Sequence, residues 1–188
     1  MRKVEWKPAA LMGPLPALLV TCGSMEHPNA MTAGWTGIVN THPPMTYVSI
    51  QPIRHSHGLV KESGVFVLNL TGEDLAYATD FCGVKSGREL DKLAHLGLTV
   101  EEGPHTGCPM LVESPLNLEC RVREIKELGS HDFFLADIVA VHVAEKLIDA
   151  TGKLDLGAAN LITYYHGRYR SMGKELGGFG WTVRKKPE

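Results

Sequence analysis

Hydrophobic and polar residues alternate most regularly where Leu116, Leu118, Cys120 and Val122 interleave with Asn117, Glu119, Arg121 and Arg123. A period of two sends one set into a core and the other into water, so this stretch predicts a half-buried antiparallel strand. After a Gly129-Ser130 turn, the run from His131 to Val143 is apolar on both faces, with Phe133, Leu135, Val139 and Val141 on one and Phe134, Ile138 and Ala140 on the other. Such a strand needs two covers, one from its own domain and one from a second subunit. Shorter apolar runs bounded by Gly, Pro or Asn predict strands over Ala17 to Thr21, Met31 to Val39, Met45 to Gln51 and Val65 to Leu70.

Helical spacing is confined to the middle of the chain. Ser86-Gly87-Arg88-Glu89 matches the S-x-x-E capping box and precedes Leu90, Leu93 and Ala94, which predicts a helix from about Arg88 to Leu96, stopped by Gly97. Thr71-Gly72-Glu73-Asp74 opens another, with Leu75, Ala78 and Phe81 on one side and Gly83 past its end. A third, around Gly58 to Glu62, has Ser56 as a candidate cap. The expected fold class is mainly β, a β-barrel with short helices.

Composition narrows the function classes. The chain has 188 residues, 44% hydrophobic and 21% charged, with 19 basic against 21 acidic groups and a net charge of −2. This is globular composition and predicts one domain over residues 1–188, with a Gly- and Lys-rich extension from about 171. The charge balance offers no general attraction for nucleic acid or an anionic membrane. The apolar stretch from Ala9 to Val20 is interrupted by Pro14 and Pro16, so it reads as the lead into the first strand, not as a signal sequence or a span. Four cysteines without a C-x-x-C pair fit buried free thiols in a reducing compartment, and a cytoplasmic location is expected. His55-x-His57 is the only close histidine pair, and no carboxylate or cysteine stands at a matching short spacing, so no metal site is expected.

No G-x-G-x-x-G, P-loop, G-x-S-x-G or H-E-x-x-H motif occurs. What does occur is an ordered series of blocks: Asn29-Ala30-Met31-Thr32-Ala33-Gly34-Trp35, Pro43-Pro44, Arg54-His55-Ser56, Phe66-Val67-Leu68-Asn69-Leu70, Asp80-Phe81-Cys82-Gly83, Ser86-Gly87-Arg88 with Asp91-Lys92, and Gly129-Ser130-His131-Asp132. From about Ala17 to Tyr165 the series resembles the flavin reductase-like, FMN-binding split-barrel family, most of all its flavoredoxin branch. The resemblance implies a Greek-key split barrel, a homodimer, and non-covalent FMN reduced by NADH, NADPH or a ferredoxin-like redox protein. Two functions share these blocks: an NAD(P)H-dependent FMN oxidoreductase, and an electron carrier that does not turn over nicotinamide.

FMN combines a dianionic phosphate, a hydroxylated ribityl chain and a flat ring, so its site needs cations, small donors and an apolar slot. Arg54 and Ser56, just after a strand and a proline, are the preferred phosphate ligands. Lys92 approaches the flavin by resemblance, and Ser86 is a helix cap that also offers an anion contact. The resemblance sets Asn29, Met31, Thr32, Ala33 and Trp35 along the ring and ribityl chain, with Asn69 as a further contact. His131 orients the donor or stabilises charge as the catalytic candidate. Tyr164 closes the far side of the site, with Tyr165 as the alternative. Cys82 is expected to pack in the core without thiol chemistry.

Overall fold

The shape of the molecule follows from a short link between strands that lie far apart in sheet order. The computed structural model describes residues 1–183. The last part of the extension expected from about 171, residues 184–188, lies outside the described residues. The strands and α-helices are, in chain order, β1 (Leu15–Pro16), β2 (Leu18–Gly23), β3 (Pro28–Ala33), β4 (Thr36–Thr41), β5 (Pro44–Ile50), α1 (His55–Ser63), β6 (Val65–Leu70), α2 (Ala76–Val84), α3 (Lys92–Leu96), β7 (Val100–Glu102), β8 (Pro109–Leu111), β9 (Leu116–Glu127), β10 (Asp132–Val143), β11 (Ile162–Tyr165) and β12 (Arg168–Ser171). Seven of them form one antiparallel sheet in the order β3-β2-β6-β9-β10-β5-β4.

The edge strands β3 and β4 are joined by Gly34 and Trp35 alone. Three peptide steps reach at most about 11 Å, whereas a flat seven-stranded sheet would hold its edges roughly 29 Å apart at about 4.8 Å per strand. The sheet therefore curls into a split barrel whose seam lies at these two residues. The Ser49 amide on β5 donates to the Trp35 carbonyl at 2.9 Å, which fixes the seam. A Cβ on Gly34 would sit 3.3 Å from the Pro16 carbonyl oxygen, so glycine permits the close approach. This seam divides the single strand expected from Met31 to Val39, because the ladder partner changes there from β2 to β5.

Val20, Cys22, Ile50, Phe66, Leu68, Cys120 and Phe134 fill the barrel. A second cluster, with Leu19, Ala30, Leu75, Cys82 and Leu93, packs the outer face of β2 and β3 under α2 and α3. All four cysteines are buried and unpaired. A separate small sheet, β1-β11-β12, stands beside the seam.

Three expectations are corrected. The helix expected from Arg88 begins only at Lys92, because Asp91 is the effective cap: its side chain accepts from the Ala94 amide at 3.0 Å. Ser86 instead closes a local turn by accepting from the Arg88 amide at 3.2 Å. Ser56 lies inside α1 and does not cap it; Arg54 takes that position. Asn117 and Glu119, expected in water, are buried, because the segment around residues 103–111 covers that face of β9. Glu119 survives there by accepting from the Thr106 amide and hydroxyl, the His105 amide and His142 Nε2. Burial opposes its charge, and these bonds together outweigh that and lower its pKa.

Asn69 is also a core residue. Its Nδ2 donates to the Leu19 carbonyl at 3.0 Å and Thr21 Oγ1 at 2.9 Å, and its Oδ1 accepts from the Leu111 amide at 2.9 Å and Asn117 Nδ2 at 2.8 Å. With its polar atoms spent on neighbouring strands, it is corrected from a ligand contact to a fastener between β2, β6, β8 and β9. Asn69→Ala leaves the buried Leu111 amide without its acceptor, and should cost about 1–3 kcal/mol. Urea unfolding should show a lower midpoint with an unchanged slope.

Candidate functional site

Where β5 ends, Gln51, Pro52 and Ile53 lead into Arg54, the N-cap of α1, whose side chain makes no cap bond. The positive end of the helix is thus open beside a groove of about 320 Å³. Arg54, Ser56, Ser86, Arg88 and Lys92 all line it. Arg54 Nη1 donates to the Gly83 carbonyl at 2.8 Å, Arg88 Nη1 to the Ile53 carbonyl at 2.9 Å, and Lys92 Nζ to the Lys85 carbonyl at 3.1 Å. Among the described residues none of these three cations pairs with a carboxylate, although Glu89 lies at the rim.

Lys92 carries the strongest signal. Only 4% of it is exposed, and burial pushes its ammonium below the usual lysine range. An ammonium taken out of water without a counter-ion costs several kcal/mol, a cost that an anion in the groove offsets. Gly87 keeps the neighbouring turn close, since a Cβ there would fall 2.0 Å from Asn29 Oδ1. Asn29 lies beneath the groove, with its Nδ2 donating to Ser56 Oγ at 2.7 Å.

The groove continues past Arg54 into a cleft of about 330 Å³ lined by Thr32, Ala33, Gly34, Trp35, Asp80, Tyr164 and Tyr169. A recess of about 160 Å³ adds Met31, Gln51 and His131. Trp35 is 42% exposed and lies against His131, with ring centroids 4.4 Å apart, so it forms a wall and not core. Thr32 donates its hydroxyl to the Thr79 carbonyl, which ties β3 to α2. Tyr164 faces the cleft and stacks at a tilt on Tyr169, 5.2 Å between centroids. Burial and the nearby Asp80 carboxylate push the Tyr169 phenol up to about 12, so it stays protonated. Burial, helped by the Arg54 charge, lowers His131 below the ordinary histidine value, which leaves the imidazole neutral at pH 7.

One buried contact joins the two ends. His57 Nε2 on α1 and Asp132 Oδ2 on β10 are 2.7 Å apart. Asp132 follows His131 directly, so the helix at the anion groove is tied to the strand next to the histidine that packs on Trp35.

Of the residues singled out in the sequence, the structure gathers Met31, Thr32, Ala33, Trp35, Arg54, Ser56, Ser86, Lys92, His131 and Tyr164 around one continuous groove and cleft. Asn29 stands behind them, and Asn69 lies elsewhere. The sequence reading missed Gln51, Arg88, Tyr169 and the His57–Asp132 pair. Arg88 stood in a recognised block and could have been found as a third cation. Tyr169 belongs to a hairpin whose spacing carries no such signal.

Residues 13–173 match the family described as Flavin reductase like domain, and the chain belongs to that family. Flavin-binding oxidoreductases are the class that this membership and the site define. An uncharacterised protein of Archaeoglobus fulgidus is 34% identical over 163 residues, 87% of each chain. The flavoredoxin of Desulfovibrio vulgaris (Miyazaki F) superposes with a TM-score of 0.89 at 26% identity, covering 97% of this chain and 100% of that one. The flavoredoxin of Methanosarcina acetivorans gives 0.88 at 28% identity, with 97% of both chains covered. These likenesses place the chain in the flavoredoxin branch.

If the Arg54 charge contributes to the lowered His131 value, NMR titration should find the imidazole midpoint below the usual 6.5 or so. Arg54→Met should move it upward. A midpoint unmoved by the substitution would separate the two groups.

Proposed function

We propose that the chain is an FMN-dependent oxidoreductase that works as a cytoplasmic homodimer and draws electrons from NADH or NADPH. The observation that carries this reading is the buried Lys92, without a carboxylate partner among the described residues, beside Arg54 and the open end of α1, next to a cleft walled by aromatic rings. The phosphate of FMN is a dianion on a flexible chain, and its ring is flat and largely apolar, so the groove and cleft suit its two ends. When bound, FMN supplies the ring that accepts a hydride from the nicotinamide and passes electrons to an acceptor.

In this reading Arg54, Lys92, Ser56 and Ser86 hold the phosphate, and Arg88 adds charge at the rim. Asn29 orients the Ser56 hydroxyl. Met31, Thr32, Ala33 and Trp35 line the ribityl and ring side, and Tyr164 closes it. A neutral His131 against Trp35 orients the donor and tunes the rate without serving as an obligatory base. A second subunit is supported by bare apolar side chains on the outer surface: Ile38 is 64% exposed, Val141 54% and Val39 47%. Val139 and Val141 belong to the strand expected to need a second cover. No described helix is long and apolar enough to cross a membrane.

The likeness to two flavoredoxins favours one second reading, an electron carrier reduced by a redox protein. Anaerobic mixing of the flavin-loaded protein with NADH or NADPH separates the two. Rapid bleaching of the flavin band is the expected outcome. No bleaching, with ready reduction by a ferredoxin-like donor, would select the carrier.

Two further outcomes are expected. Arg54→Ala should weaken FMN binding about ten- to a hundredfold in a fluorescence titration, since bonds to a charged group contribute roughly 1.5–3 kcal/mol each. Affinity should rise as the phosphate completes its second ionisation near about pH 6. It should fall again at alkaline pH, where Lys92 loses its proton earlier than an ordinary lysine at about 10.4. Lys92→Met should remove the alkaline fall.

A further inference from the structure

A further cavity lies outside the anion groove and beside the cleft. It is a chamber of about 980 Å³ between the irregular N-terminal arm and the β11–β12 hairpin. Its size is at the upper end of small-molecule sites, roughly 300–1,000 Å³. Leu11 and Met12 line it from the arm, Tyr165 and Met172 from the hairpin side. The partition towards the ring cleft is shared: Leu15, Trp35, Tyr164 and Gly167 line both spaces. That partition is held by a ladder of only two residue pairs, one of them Leu15 with Tyr164. A ligand in the chamber therefore lies one side chain away from the cleft.

The lining sets the chemistry. Tryptophan, tyrosine and thioether surfaces favour a flat ring over a hydrated sugar. No aspartate or glutamate lines the chamber, yet Arg170 does. Among the described residues the Arg170 side chain makes no ion pair and no hydrogen bond. A guanidinium presents a planar fork that matches a single carboxylate. A nicotinamide dinucleotide would bring two phosphate charges to this one guanidinium.

We infer that the chamber binds a planar aromatic carboxylate, with Arg170 as the residue that selects its charge. This capacity to bind does not rest on the flavin-dependent reading above.

The test is calorimetric titration of the full-length, FMN-loaded protein with 2-naphthoate and with its neutral isostere 2-naphthamide. The expected result is saturable binding of one naphthoate per chain, with the amide at least tenfold weaker. Arg170→Met should lower naphthoate affinity at least tenfold, abolish the preference for acid over amide, and still take up FMN as the native protein does. Equal affinity for acid and amide in the native protein overturns the proposal, and so does the absence of saturable binding. Displacement of naphthoate by NADH, with Arg170→Met weakening both alike, gives the chamber to the dinucleotide and overturns it as well. The same titration on protein that fails to take up FMN separates the two readings: discrimination between acid and amide there supports the chamber and ends the flavin assignment. Loaded protein indifferent to the charge does the reverse.

Discussion

Two opposite edges of a seven-stranded sheet are bound by a link of two residues, and most of the site follows from that limit on reach. The sheet has to close, and closure draws β3, the start of β4 and the end of β5 to one place. Gly34 lets the chain pass close to Pro16, while Trp35, unable to enter a filled barrel, stands outward at the seam. Arg54 and α1 follow β5 directly, and His131 immediately precedes the strand paired with β5, so Trp35, Arg54 and His131 converge on one recess.

Charge without counter-charge gives this place its character. Two buried ionisable groups elsewhere are paired: Asp132 with His57, and Glu119 with His142 and the Thr106 turn. At the groove, Arg54, Arg88 and Lys92 find only carbonyl oxygens among the described residues. Carbonyl dipoles solvate a cation in part and leave its field pointing outward, which suits a terminal phosphate. Burial, helped by the Arg54 charge, lowers the His131 pKa, so the groove and the cleft are linked electrostatically as well as by chain geometry.

Much of this was legible before any coordinates, and the failures have physical causes. Alternation correctly marked β9 and β10 as strands, because a period of two survives whatever packs on them. It misjudged Asn117 and Glu119, since a polar residue that meets its partners inside reads the same as one in water. Arg54, Ser56 and Lys92 were visible through an ordered series of blocks, and the structure brings them together. Asn69 sat in such a block too, but a run of neighbours says nothing about which way one side chain turns. The capping box at Ser86 was a true local signal defeated by a better one, since Asp91 offered a competing cap and Gly87 was pinned against Asn29. The tyrosines of β11 and β12 had no periodic signal, as the hairpin is short and its role depends on the distant arm opposite.

The two-pair ladder between β1 and β11 has an evolutionary consequence. The anion groove is built from the starts of α1 and α3, where Ser56 and Lys92 are buried and replacements disturb packing. The arm and hairpin hang at the periphery on a short seam of backbone bonds, where replacements cost little. Descendants of this chain can therefore revise the periphery at little cost to folding, while the groove tolerates less change.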